Sequence, residues 1–548
     1  IATDGESYGH HHRFGDMALA YALDQIETKQ LARLTNYGEF LDKHPPVFEV
    51  EIAEKTSWSC AHGIDRWWSD CGCNSGAHAG WNQQWRTPLR NSLDGLRDAV
   101  MPLWQQRAAE YFKNIWFARD CYIEVILDRS AQSTDRFFGR HAARPLTGAD
   151  KIDALKLLEL QRHLLLMYTS CGWFFDDISG IETVQVMQFA GRAVQLAEEL
   201  FGDSHEERLL ERLAGARSNL PGHVNGKAIY DKLVRSARVD WERVGAHYAV
   251  SSLFDALPGA ARIYCYRAER KTLQTFNAGK AKLVVGEVVL TSEITGETAA
   301  LSFGALHLGD HNVNGGVRPS LGDEIESYLA RELAEPFMRG DFAEVLRLMD
   351  RRFSESNYSL RSLFHDEQRK LIEQILQSAI AETESLYRQI YDQRAPLLRF
   401  LNSVSMPQPN ALRGPAELIV NSDLRRQLSE DEIDVERVKQ LLAAASAESI
   451  TLDAATLEFT YRKTLERIAE KFAREPGLAA LHHLNRAAEA LALLPFTVNL
   501  WKVQNYFYRT VQQCSGAERK ITARDDCENS DWIRCLREAG DKLAVLVL

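Results

Sequence analysis

Residues 87–111 read TPLRNSLDGLRDAVMPLWQQRAAEY, and within them Leu93, Leu96, Val100, Trp104, Ala108 and Tyr111 recur at helical spacing. That stripe marks one face of a long amphipathic helix. The sequence predicts Thr87 as its N-cap and Pro88 as its first helical residue, because a first-turn N–H has no partner to lose. Pro102 marks a kink. Two further stripes, Ile152–Tyr168 and Ile181–Leu200, and a pair of segments between Glu206 and Phe254 extend the helix into a bundle.

Downstream the signal changes. Between Arg262 and Val313 it turns to β, with Leu283–Leu290 and Ala300–Leu308 as apolar runs joined by Thr295-Gly296 in a hairpin. Gly309–Gly316 reads as a turn. Charged helices return beyond Pro319 and run to Leu548. Upstream, Phe14, Met17, Ala18, Tyr21 and Ala22 predict a helix packed on a sheet, and Val47–Ile52 alternates apolar and acidic residues as a half-exposed strand would.

The chain has 548 residues, 65 basic against 76 acidic side chains and a formal charge of -11. Such an acidic balance lacks the cationic excess that binding to a phosphate backbone requires, so no nucleic-acid partner is expected. The longest apolar stretches fall far short of the roughly 20 residues that a bilayer crossing needs, so no membrane partner is expected. Nine cysteines, odd in number and mostly far apart, read as reduced thiols of a cytoplasmic protein. The first residue is Ile1, so the chain is expected to open part-way through a longer one. Oligomeric state is not legible.

Two segments could carry chemistry. In Thr3-Asp4-Gly5-Glu6-Ser7-Tyr8-Gly9-His10 an extended backbone would put Asp4 and Glu6 on one face, with His10 beside them. The alternative is a plain strand–loop–helix junction in which Asp4 caps a turn. The second segment runs from Ser57 to Cys73 and is crowded with Trp58, His62, Asp65, Trp67 and Trp68; seven of the eleven tryptophans lie between Trp58 and Trp116. Aromatic faces beside carboxylates suit a sugar ring, whereas an aromatic plug under a loop is the competing reading, with at least one of Trp67 and Trp68 in the core.

Cys60, His62, Cys71 and Cys73 are also soft ligands. Their Cys-x-His and Cys-x-Cys spacing is looser than the usual zinc pattern, so they are expected not to meet at one centre, and neither metal nor cofactor is expected. Asp176 and Asp177 are expected to cap the helix that starts near Ile181.

The Thr3–His10 segment resembles the fourth conserved region of glycoside hydrolase family 57, the α-glucan-acting amylases, glucanotransferases and branching enzymes. The stretch from Trp58 to Cys73 looks like a variant of the fifth region. Tyr168–Gln188 and Leu301–Gly316 look like an uncharacterised C-terminal extension found in one branch of that family. The resemblance implies Asp4 as general acid/base, with Glu6, His10, Trp58, His62, Asp65, Trp67 and Trp68 binding substrate. It implies a nucleophilic glutamate upstream of Ile1 and an α-glucan or oligosaccharide as partner. The expected fold is α+β and predominantly helical: the C-terminal remnant of a (β/α)7 barrel over 1–86, a helical bundle over 87–258, a small antiparallel β unit over 259–318 and a helical region over 319–548. Two other readings stay open. One is a non-catalytic carbohydrate-binding or scaffold protein, and the other a zinc-dependent hydrolase on a related barrel.

Overall fold

A computed structural model describes residues 3–9, 12–76, 78–203, 205–255, 257–353, 358–518 and 526–546. The chain divides into two compact units. One holds the residues up to Val239 together with Glu293–Glu297, and the other holds Asp240–Ser292 and the residues from Thr298 onward.

The first unit opens with α1 (Gly15–Thr28) and α2 (Tyr37–Lys43). The predicted helix at Phe14–Ala22 therefore forms, but none of its residues is buried, and among the described residues this unit has no sheet for it to pack on. Val47–Ile52 forms no strand. Alternation alone does not make a strand: an extended segment needs a neighbour to take its backbone hydrogen bonds. Among the described residues none is buried before Cys60.

From Trp85 the unit acquires a core. It comprises α3 (Arg86–Ala108), α4 (Ile115–Cys121), α5 (Ile123–Leu127), α6 (Ala131–His141), α7 (Gly148–Leu166), α8 (Ile181–Phe201), α9 (Glu206–Leu213) and the short α10 (Gly226–Ile229). The stripe Leu93, Leu96, Val100, Trp104, Ala108 and Tyr111 is buried throughout. The start of α3 differs from the sequence reading. Trp85 is the N-cap, and Thr87 sits inside the first turn, where its hydroxyl donates to the Trp68 carbonyl at 3.1 Å. Helix α7 begins with a capping box, in which the Thr147 side chain accepts from the Asp150 N–H and the Asp150 carboxylate accepts from the Thr147 N–H.

The second unit is built on a five-stranded antiparallel sheet in the order β1 (Ala260–Ile263), β2 (Tyr266–Ala278), β3 (Ala281–Ser292), β4 (Thr298–His307), β5 (Val313–Pro319), preceded by α11 (Trp241–Phe254). The β3–β4 hairpin turns where Thr295-Gly296 predicts it, with Gly296 at φ 72°. Helix α11 packs on one face, with Tyr248 edge-on to Phe303. On the other face Leu283, Val285 and Leu306 join the core of α12 (Asp323–Met338) and α13 (Phe342–Phe353). Two covered faces explain why β3 and β4 read as continuous apolar runs.

Beyond them lie α14 (His365–Ser403), α15 (Asn410–Ser429), α16 (Val435–Ala447), α17 (Ala454–Arg474), α18 (Leu478–Ala488), α19 (Trp501–Glu518) and α20 (Asp526–Leu543), which share a separate core around Leu424, Tyr461, Phe472 and Leu484. The protein is thus predominantly helical with one small antiparallel sheet. No described helix is long and apolar enough to cross a membrane.

Candidate functional site

Asp4 is the N-cap of a single 3-10 turn, Gly5–Ser7, and its carboxylate accepts from the Glu6 N–H at 3.3 Å. This is the turn-capping role that short polar side chains take at such junctions. The backbone is therefore not the strand that would have set Asp4 and Glu6 side by side. Both residues are exposed, and His10 lies outside the described residues.

The second segment is held elsewhere. Trp67 packs on the core of the first unit and donates its indole N–H to the Ser170 carbonyl at 2.9 Å. Trp68 stays half exposed under the Arg90 guanidinium, which lies 5.1 Å from its ring centre. Trp67 is thus partly buried against the core, and Trp68 is exposed. Trp58 is 88% exposed, and His62 and Asp65 are also exposed. The Trp58–Cys73 segment therefore packs on the helical bundle, and the expected wall around Asp4 is not what anchors it.

Four side chains of that segment do converge, against expectation. Cys60, His62, Cys71 and Cys73 bring one potential ligand atom each to within 4.8 Å of all the others. Cys60 Sγ lies 3.9 Å from Cys71 Sγ and 3.8 Å from Cys73 Sγ, and Cys73 Sγ lies 3.5 Å from His62 Nδ1. None of the three thiols is in a disulfide. The spacing misled because convergence depends on the turn between the pairs. Gly72, between Cys71 and Cys73, adopts φ 81°, and Gly63, directly after His62, adopts φ 80°, so the chain turns in the left-handed region at both places. At Gly63 a Cβ would also lie 2.5 Å from the Lys55 carbonyl oxygen.

Two buried guanidiniums frame the cluster. Arg66 donates to the carbonyls of Ser59 and Asn74 at 3.0 and 3.3 Å, so it ties the residue before the first cysteine to the residue after the last. Its guanidinium also lies 4.3 Å over the Phe174 ring. Arg86 donates to the Cys73 carbonyl at 2.9 Å. Burial works against a thiolate at Cys60, but the backbone N–H groups of Arg66 and His62, then the Cys73 and Cys71 thiols, outweigh it and lower Cys60 to about 7. Burial pushes Cys71 up.

The segment is fastened to the bundle by Asp176, whose carboxylate accepts from the Ser75 N–H at 2.8 Å and from the Ser75 hydroxyl. The Asp176 carbonyl accepts from Trp85 Nε1 and Asn219 Nδ2. Asp177 accepts from Ser179, Ser218 and Asn219. Neither aspartate caps α8, whose N-cap is Gly180. Both are buried cross-links, a role that no local pattern signals because their partners lie up to about a hundred residues away.

The family model described as Domain of unknown function (DUF3536) matches residues 81–364. The chain belongs to the DUF3536 family. No curated protein and no solved structure matches it. The DUF3536 match takes in α3 through α13 and leaves both Asp4 and the Cys60–Cys73 cluster on its N-terminal side.

Proposed function

We propose that the chain is the C-terminal part of a retaining glycoside hydrolase or transglycosylase acting on α-glucans, with Asp4 as general acid/base. The likeness of Thr3–His10 to the acid/base region of glycoside hydrolase family 57 carries this reading. Asp4 and Glu6 are exposed, which suits residues that must reach a sugar. In this reading residues 1–86 are the last portion of a (β/α)7 barrel, completed by chain outside the 548 residues. Retention then needs a second carboxylate about 5–5.5 Å from Asp4, supplied by that outside segment as nucleophile. Asp4 protonates the departing glycosidic oxygen and afterwards takes a proton from water or from an acceptor sugar.

The test is Asp4→Asn in the full-length chain. Turnover of a maltooligosaccharide should fall by about 10²–10⁴-fold. A glycosyl fluoride, whose leaving group needs no proton, should keep its first step. Equal turnover in both proteins would refute the assignment. Oligosaccharide binding with no turnover by the unaltered chain would favour the carbohydrate-binding reading.

A further inference from the structure

We infer that Cys60, His62, Cys71 and Cys73 bind a single Zn²⁺ as a closed tetrahedral centre, His62 through Nδ1, which cross-links the two ends of the Cys60–Cys73 stretch to each other. The argument begins with distances. Zn–S bonds of about 2.3 Å and Zn–N bonds of about 2.0–2.1 Å place neighbouring tetrahedral ligands about 3.8 Å apart for two sulfurs and about 3.6 Å apart for sulfur and nitrogen. The observed separations are 3.8 and 3.9 Å between sulfurs and 3.5 Å between Cys73 Sγ and His62 Nδ1. Three of the six separations thus match one ion of that size, and the remaining three lie within 4.8 Å. A disulfide would need its sulfurs at about 2.05 Å, so at 3.8 and 3.9 Å these thiols are not bonded to each other.

The surroundings fit the same ion. Three thiolates and a neutral imidazole around Zn²⁺ carry one net negative charge. Cys60 is buried with backbone N–H groups facing its sulfur, and the buried Arg66 and Arg86 side chains bind carbonyls beside the ligands. The segment also needs a staple. Between Ser57 and Gln84 its only regular element among the described residues is the 3-10 turn Asp65–Trp67, and the residues it buries are Cys60, Arg66 and Gln83. So little apolar burial cannot by itself offset the cost of ordering such a stretch, whereas a structural zinc contributes its binding energy directly to folding.

Four protein ligands leave no open position for water. The centre is therefore structural, and it is not the metal of a zinc-dependent hydrolase.

The experiment uses the full chain expressed with added zinc, with zinc, iron and copper quantified together. About one zinc per chain is expected, retained in Cys171→Ser, whose exposed thiol lies outside the cluster, and reduced to about a tenth or less in the double variant Cys71→Ser/Cys73→Ser. Cobalt(II) loaded into the unaltered chain should give the intense visible bands of a tetrahedral thiolate site. This readout needs no variant and stands if the double variant fails to fold. Chelation should open protease cleavage between residues 57 and 76 while α3, α7 and α8 stay protected. Substoichiometric zinc in the zinc-supplied chain, iron or copper in its place, weak octahedral cobalt bands, or equal zinc in the double variant would each overturn the proposal.

Discussion

Asp177 offers a test in which removing the carboxylate and merely amidating it should do nearly equal damage. The side chain is buried at the mouth of α8. Its Oδ1 accepts from the Ser179 N–H at 2.9 Å and the Ser179 hydroxyl at 2.6 Å, and its Oδ2 accepts from the Asn219 N–H at 2.5 Å. The Ser218 hydroxyl reaches both oxygens, at 2.9 and 3.1 Å. Asp177→Ala leaves two backbone donors without their acceptor. A hydrogen bond to a charged group contributes about 1.5–3 kcal/mol, and relief of the buried charge offsets part of the loss, so the net cost is about 3 kcal/mol. Asp177→Asn would ordinarily be gentle. Here each carboxylate oxygen faces a backbone N–H, so whichever way the amide is turned its NH₂ meets a donor, and the cost should stay at about 2–3 kcal/mol. Hydrogen exchange of the α8 amides in the first unit is the assay, since two units need not unfold together. Exchange through subglobal opening should speed up by roughly 30- to 160-fold in both variants. An Asp177→Asn protein within about threefold of the unaltered chain would refute the reasoning.

Other outcomes follow from single residues. Gly63→Ala forces a Cβ onto the Lys55 carbonyl at a φ of 80°, so it should lower zinc retention and expose the Ser57–Trp85 segment to protease without changing exchange in α7. Burial, aided by Arg192 and Arg162 against the opposing pull of Glu159, pushes His163 down to about 4. Its folded pKa lies below the unfolded value of about 6.5, so its contribution is full above that value, falls as pH drops towards 4 and then levels off. Between pH 7 and pH 5 the first unit should therefore lose about 2 kcal/mol through this group, measured by urea unfolding, and His163→Leu should flatten that part of the profile. Residues 1–548 on their own should show no glycosidase activity on any α-glucan; turnover abolished by Asp4→Asn would place a second carboxylate inside the chain.

The sequence by itself determined most of the helical architecture and the hairpin of the sheet. Leu93 to Tyr111 carries a 3.6-residue period that only one structure can bury, and Ile181–Leu200 became α8 with almost the same bounds. The β3–β4 hairpin was legible because two apolar runs flank Thr295-Gly296. Strand β2 fell inside the region that read as β but had no run of its own, since its YRAERKTLQTFNA is largely exposed and acquires its extended form from pairing with β3. Val47–Ile52 is the converse, an alternating pattern with no partner strand among the described residues. Tertiary structure alone decided the rest. The buried cross-links of Asp176 and Asp177 join segments remote in sequence, and the meeting of Cys60, His62, Cys71 and Cys73 depends on two left-handed glycines and the Arg66 clamp. Ligand spacing along a chain constrains where side chains start, and the turn between them decides where they end.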